Sequence, residues 1–132
     1  MARKWTVYQG GPNNGERLAV RVTLNSRGVM LLNKAAYECM GSPGAVELLF
    51  DEEEGVIGLK PKDLRHQNAF PLKSKWVDKK KYQYRLISAS PFCKHFDIKP
   101  KGTILFTQPD MDNDGTLLLA LESAVNVGRG SR

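Results

Sequence analysis

Five lysines, one arginine and three aromatic residues crowd into thirteen positions of this chain. They are Lys73, Lys75, Lys79, Lys80, Lys81 and Arg85, interleaved with Trp76, Tyr82 and Tyr84. Cationic side chains neutralise phosphates and release counterions, and aromatic rings stack on bases or sugars, so the composition suits a nucleic-acid surface. Arg21 and Arg27 are the matching candidates in the N-terminal half. The plainer alternative is a guarded strand, with rings facing a core and lysines discouraging edge pairing.

Charge supports an anionic partner. The chain carries a formal +6 with a pI near 9.4. Residues 62–101 hold 11 basic and 3 acidic side chains, whereas the remainder holds 9 basic and 11 acidic. Such asymmetry directs an electrostatic field toward one face. A solvated, aggregation-resistant surface would also carry it.

Other constellations fall short of a reactive or metal-binding set. Asp110-Met111-Asp112-Asn113-Asp114-Gly115 spaces its oxygen donors like the start of a calcium loop, but Leu121 stands where the closing bidentate glutamate is required. An acidic hairpin turn is the better reading. Cys93 and His95 are two apart in a short helical stretch, so they point in different directions. With only Cys39 and His66 beside them, they do not match a zinc spacing. Both cysteines read as reduced, packed thiols. No phosphate-binding glycine loop, nucleophile elbow or HExxH is present. The expectation is a protein without catalytic residues, metal or cofactor. No run reaches membrane-span length, and the N-terminal residues lack a signal-peptide stretch, so cytoplasmic residence is expected.

These side chains must be positioned by strands. Leu18, Val20, Val22 and Leu24 alternate at period two, and 25–28 is a turn leading to a strand at 29–32. Asn33 suits an N-cap, a helix follows over 34–40, and Gly41 stops it. Strands at 46–50 and 56–60 flank the acidic turn 51–54. The order then repeats: strands at 69–77 and 82–87, a helix capped by Ser88 or Ser90 ending near Asp97, and strands at 102–107 and 116–121 around a second acidic turn.

Apolar spacing recurs 56 residues apart: Leu31 with Ile87, Ala36 with Phe92, Met40 with Phe96, Phe50 with Phe106. The segmentation is an arm at 1–17, a first half at 18–61, a linker at 62–68, a second half at 69–121 and a mobile tail at 122–132. Eight positions should form the core: Leu31, Met40, Leu48, Phe50, Ile87, Phe96, Ile104 and Phe106.

Residues 24–33, the short helix ending Met40-Gly41 and the strand Val46-Glu47-Leu48-Leu49-Phe50 together resemble the AbrB/SpoVT swapped-hairpin domain. A tandem pair in one chain is similar to the MraZ arrangement. The resemblance covers residues 18–61, and 69–121 join it through the internal repeat. It implies a mainly β fold with short helices, in which two hairpin–helix–hairpin halves interleave into a closed barrel as a single-chain pseudo-dimer. It also implies DNA binding by loops and strand ends on one side. The chain departs from the pattern at Arg27-Gly28, which reverses the family's glycine-then-arginine order. Asn33 stands where the family has proline, and Tyr37 and Glu38 fall near its basic helix positions.

Two functional readings result. The first is a DNA-binding, transcription-regulator-like protein that contacts duplex DNA through Arg21, Arg27, Lys73, Lys75, Lys79, Lys80, Lys81 and Arg85, with both acidic turns gathered at the opposite pole. The second is a protein-interaction module, antitoxin-like or an assembly subunit, that keeps the barrel and meets a partner through its termini.

Overall fold

Strict alternation builds the first hairpin. Val22 and Leu24 of β1 (Val22–Leu24) and Met30 and Leu32 of β2 (Val29–Leu32) are fully buried, while Thr23, Val29 and Leu31 between them are not. The turn is fixed by Asn25, whose Oδ1 accepts the N–H groups of Arg27 at 2.9 Å and Val29 at 3.0 Å. Gly28 closes it at φ +82°, a conformation natural to glycine. The computed structural model describes residues 20–77 and 82–127. The expected arm at 1–17 and the turn bearing Lys79, Lys80 and Lys81 lie outside them.

Helix α1 (Lys34–Cys39) starts at the expected cap. Asn33 Oδ1 accepts the Ala36 N–H at 2.9 Å and the Arg21 N–H at 3.0 Å, so one side chain starts the helix and ties it to the residue just before β1. Gly41 ends it at φ +86°. Helix α2 (Ser90–His95) lies 56 residues on and has the same length. Its cap position is Ala89, with no side-chain cap bond. Neither Ser88 nor Ser90 caps this helix.

The remaining strands are β3 (Ala45–Asp51), β4 (Val56–Lys62), β5 (Phe70–Pro71), β6 (Lys73–Val77), β7 (Tyr82–Ser88), β8 (Ile104–Phe106), β9 (Asp110–Met111), β10 (Leu117–Ala120) and β11 (Ala124–Asn126). They form two antiparallel sheets. One has six strands in the order β11-β8-β1-β2-β7-β6, the other five in the order β5-β3-β4-β10-β9. Strands from residues 18–61 occupy the middle of the first sheet, between strands from the second half of the sequence.

Two central pairings join the halves. In one, Met30 faces Ile87, flanked by Val29 with Ser88 and Leu31 with Leu86. In the other, Gly58 faces Leu118, flanked by Ile57 with Leu119 and Leu59 with Leu117. Each is centred on one residue from each half. The spacing between counterparts is 57 residues at the first centre, 56 in the helices and 60 at the second centre. The repeat therefore holds, but its register shifts twice. The first shift falls between strand and helix; at the helix spacing the counterpart of Asn33 is Ala89, whose methyl offers no acceptor, which is why α2 lacks a side-chain cap.

The second shift follows the break of the strand that corresponds to β3. Its first part, β8, pairs with β1 and β11 in the six-stranded sheet, and its second part, β9, pairs with β10 in the other. Between them stands Pro109, which has no N–H for a ladder. Two open sheets result among the described residues, and no closed barrel. Part of the segment expected as a tail is strand: after a 3-10 turn at Leu121–Ser123, residues 124–126 form β11 on β8, and residues 128–132 lie outside the described residues.

Between the sheets lies one core. The six-stranded sheet contributes Val22, Leu24, Met30, Leu32, Ile87 and Phe106; the five-stranded sheet contributes Val46, Ile57, Leu59, Leu117 and Leu119. Full burial of such side chains stabilises by about 1.5–3 kcal/mol each. Of the eight expected core positions, Met40, Ile87 and Phe106 are buried. Leu48, Phe50, Phe96 and Ile104 are half-buried against the core. Phe50 packs 5.0 Å from Phe96 and 6.2 Å from Phe92 between ring centres. Leu31 faces outward instead, because the strand register is 57 rather than 56, and Met30 takes its place. Cys93 is buried as expected, whereas Cys39 is exposed, with its Sγ 3.2 Å from the Ala36 carbonyl.

Candidate nucleic-acid interface

The six strands β11, β8, β1, β2, β7 and β6 contain no aspartate or glutamate within their bounds, and they carry Lys73, Lys75 and Arg85. Carboxylates sit on the other sheet and its turns: Glu47, Asp51, the turn 52–54, Asp110, Asp112 and Asp114. Two opposed sheets thus differ in the sign of their charge. That separation sharpens what the sequence asymmetry suggested.

The candidate residues fall into two groups along β1. Arg21, exposed, lies at one end, where its carbonyl accepts the Asn33 N–H at 3.0 Å. Lys73 and Lys75 are exposed on β6, opposite Leu86 and Tyr84. Arg27 is exposed in the turn at the other end of β1, so the structure does not bring all the basic candidates together. Lys79, Lys80 and Lys81 lie outside the described residues. Trp76 is 51% exposed and Tyr84 half-buried, the ring of the former being available for stacking.

Arg85 is held within the fold. Its register partner is Leu32, which is fully buried, so the side chain leaves the sheet on the core side. Its Nη1 donates to Ser74 Oγ at 2.8 Å, and its guanidinium carbon lies 4.2 Å from the centre of the Tyr37 ring. This cation–π contact explains why a charged residue is tolerated beside the core.

The acidic turns do not share a pole. Val56, just after one turn, pairs with Ala120, and Leu117, just after the other, pairs with Leu59. Antiparallel pairing sends the turns toward opposite ends of β4, one beside Val56 and the other beside Lys60, about 13 Å apart at roughly 3.3 Å per residue. Lys60 accordingly lies 3.9 Å from Asp114. Hydrogen bonds from Thr116, reinforced by Lys60, hold the Asp114 carboxyl below its ordinary value. Gly115 turns the loop at φ +87°, and Asp110 and Asp112 accept the next residue's N–H at 2.8 Å. These carboxylates do the work of a hairpin turn.

Two features escaped the sequence reading. Lys94 and Lys99 border the same cleft as Arg27, although they are 67 and 72 residues away in sequence. The signal was Gly28: a Cβ there would lie 2.7 Å from Ser90 Cα, so turn and helix must touch. The second feature is an apolar row across the outer face of the six-stranded sheet, running through Val125, Leu105, Thr23, Leu31 and Leu86 to Lys73. Of these residues only Leu31 is among the expected core positions.

Among the described residues no helix is long and apolar enough to cross a membrane. The chain matches no family model, no curated protein and no solved structure.

Proposed function

We propose that this protein binds double-stranded DNA as a non-catalytic, transcription-regulator-like protein in the cytoplasm. Its fold on this reading is a single-chain pseudo-dimer of swapped-hairpin type, as the AbrB/SpoVT resemblance implies. Support for the pseudo-dimer comes from the two pairings centred on Met30–Ile87 and Gly58–Leu118 and from the equal length of α1 and α2. The observation that carries the DNA reading is the six-stranded sheet without a carboxylate, set against a sheet rich in them. A polyanion is drawn to the former and repelled by the latter. Arg21, Lys73 and Lys75 then track phosphates, joined by Lys79, Lys80 and Lys81. Arg27 stands apart from this surface at the far end of β1, and Arg85 supplies positioning through Tyr37.

An electrophoretic shift with duplex DNA across a salt series tests this. Contact with about six phosphates gives a slope of log K against log salt near −5. Lys73→Glu with Lys75→Glu should weaken binding to all sequences and flatten that slope by about 2. A protein that stays unbound at low salt overturns the reading.

The apolar row of Leu105, Leu31 and Leu86, extended by Val125 at 47% exposure, favours a second reading. A protein partner covering that face would make the chain an interaction module. Leu31→Lys would abolish such a complex and spare DNA binding.

A further inference from the structure

We propose that the cleft between the β1–β2 turn and α2 binds a phosphorylated small molecule with a flat apolar body, of mononucleotide size. This site is separate from the strand surface assigned to DNA, and Arg27 belongs to it.

The cleft has a volume of about 350 Å³, within the range of small-ligand sites. Its rim carries Arg27, Lys94 and Lys99, and no carboxylate lines it. All three cations are exposed. Lys99 pairs with Asp97 at 3.1 Å, whereas neither Arg27 nor Lys94 has an acidic partner among the described residues. Ser26 and Ser90 add hydroxyl groups. A planar guanidinium with two ammonium groups and two hydroxyls is the donor set that a phosphate monoester takes.

The floor has a different character. Gly28, Cys93 and Ile98 line it, the last two at 5% and 7% exposure. Burial pushes the Cys93 thiol up, so it stays neutral. A site for bare phosphate has no use for an apolar floor; the ring of a nucleobase does.

The opposite end of the molecule shows that the opening is specific to this end. Tyr37 and Cys93 are each the fourth residue of their helix. Arg85 and Gly28 each stand two residues before the facing pair Met30 and Ile87. At one end arginine stacks on tyrosine and fills the space. At the other, glycine and cysteine occupy those positions and leave it open. The walls are fixed by the backbone: the Ala89 N–H donates to the Gly28 carbonyl at 2.8 Å, and the Ile98 N–H to the Cys93 carbonyl at 2.8 Å.

The test is calorimetric titration of the full chain, at low salt, with adenosine 5′-monophosphate, adenosine and inorganic phosphate. Millimolar or tighter binding of the monophosphate is expected, with adenosine and phosphate each at least tenfold weaker. Arg27→Glu with Lys94→Glu, both at exposed positions, should weaken the monophosphate at least tenfold. Cys93→Tyr, which copies the filled end, should abolish its binding in a protein whose circular dichroism is unchanged. Phosphate binding as tightly as the monophosphate, unchanged affinity in the double variant, or no binding at all overturns the proposal. Duplex DNA titrated in parallel separates the two readings: loss of one ligand with retention of the other assigns the failure to that site alone.

Discussion

Arg85 lies with its guanidinium carbon 4.2 Å from the centre of the Tyr37 ring, so a strand from one half of the chain is fastened to the helix of the other by a cation–π contact. Replacing Arg85 with Lys keeps the charge but loses the planar stack and the geometry of the Ser74 bond. Stability should fall by about 0.5–2 kcal/mol, read as a lower urea midpoint at unchanged m-value. DNA affinity should change by less than it does in the Lys73 and Lys75 variants.

Gly28→Ala should be among the most damaging single-methyl changes. The residue sits at φ +82°, and the new Cβ would approach the Ser90 backbone to 2.7 Å. Backbone strain of this kind costs about 1–3 kcal/mol, and the contact adds to it. By contrast, Gly41→Ala meets nothing within 4 Å and should show the strain alone. Thermal unfolding of both variants measures the difference.

Phe106 and Phe50 occupy corresponding places but not equal ones. Phe106 is 1% exposed, so Phe106→Ala should cost about 3–5 kcal/mol. Phe50 is half-buried against Phe92 and Phe96, and its loss should cost clearly less. Equal losses in urea denaturation would contradict the burial seen here.

Asn33→Ala removes the cap of α1 and the link to Arg21, just before β1, together. A cost of about 1–2 kcal/mol is expected. Hydrogen exchange should quicken at Ala36 and Arg21 more than in α2, which has no such side chain to lose.

Acid should weaken the fold through two turns. The Arg65 side chain holds the Asp63 carboxyl below its ordinary value, and Thr116, then Lys60, does so for Asp114. A carboxyl whose folded pKa is depressed contributes fully above the unfolded value, about 3.9, and loses that contribution as pH falls toward the folded one. Stability should therefore decline below about pH 4. Asp114→Asn should flatten that decline, with the smallest difference from the parent at the lowest pH. Both groups are exposed, so the effect is small and best seen in low salt.

What was legible in the sequence was local. Asn33 and Gly41 announced the ends of α1, alternation announced β1, and the turns at 25–28 and 51–54 announced β2, β3 and β4. The equal spacing of the helices was also readable. Illegible were the events between elements. A single residue missing before α2 moved the strand register by one, and that reverses the face of every side chain, as at Leu31. Pro109 broke a strand whose first part then joined the other sheet. The polar composition of 122–132 hid β11, whose pairing is decided by the edge of β8 rather than by its own residues. The cleft at Arg27 depends on contacts across more than sixty residues, beyond the reach of any spacing rule.

The lacing of the two halves governs how the chain reaches this state. β2 must find β7, and β4 must find β10, across loops of more than fifty residues, so little of either sheet repays its ordering before those loops close. A nascent chain ending at residue 66 has β1 and β2 but neither neighbour that flanks them. Folding is therefore late, slow and all at once. Once it is complete, a protease cut between residues 63 and 68 leaves two fragments still woven through each other. They should part only on full denaturation, and mixed after separate synthesis they should restore one another.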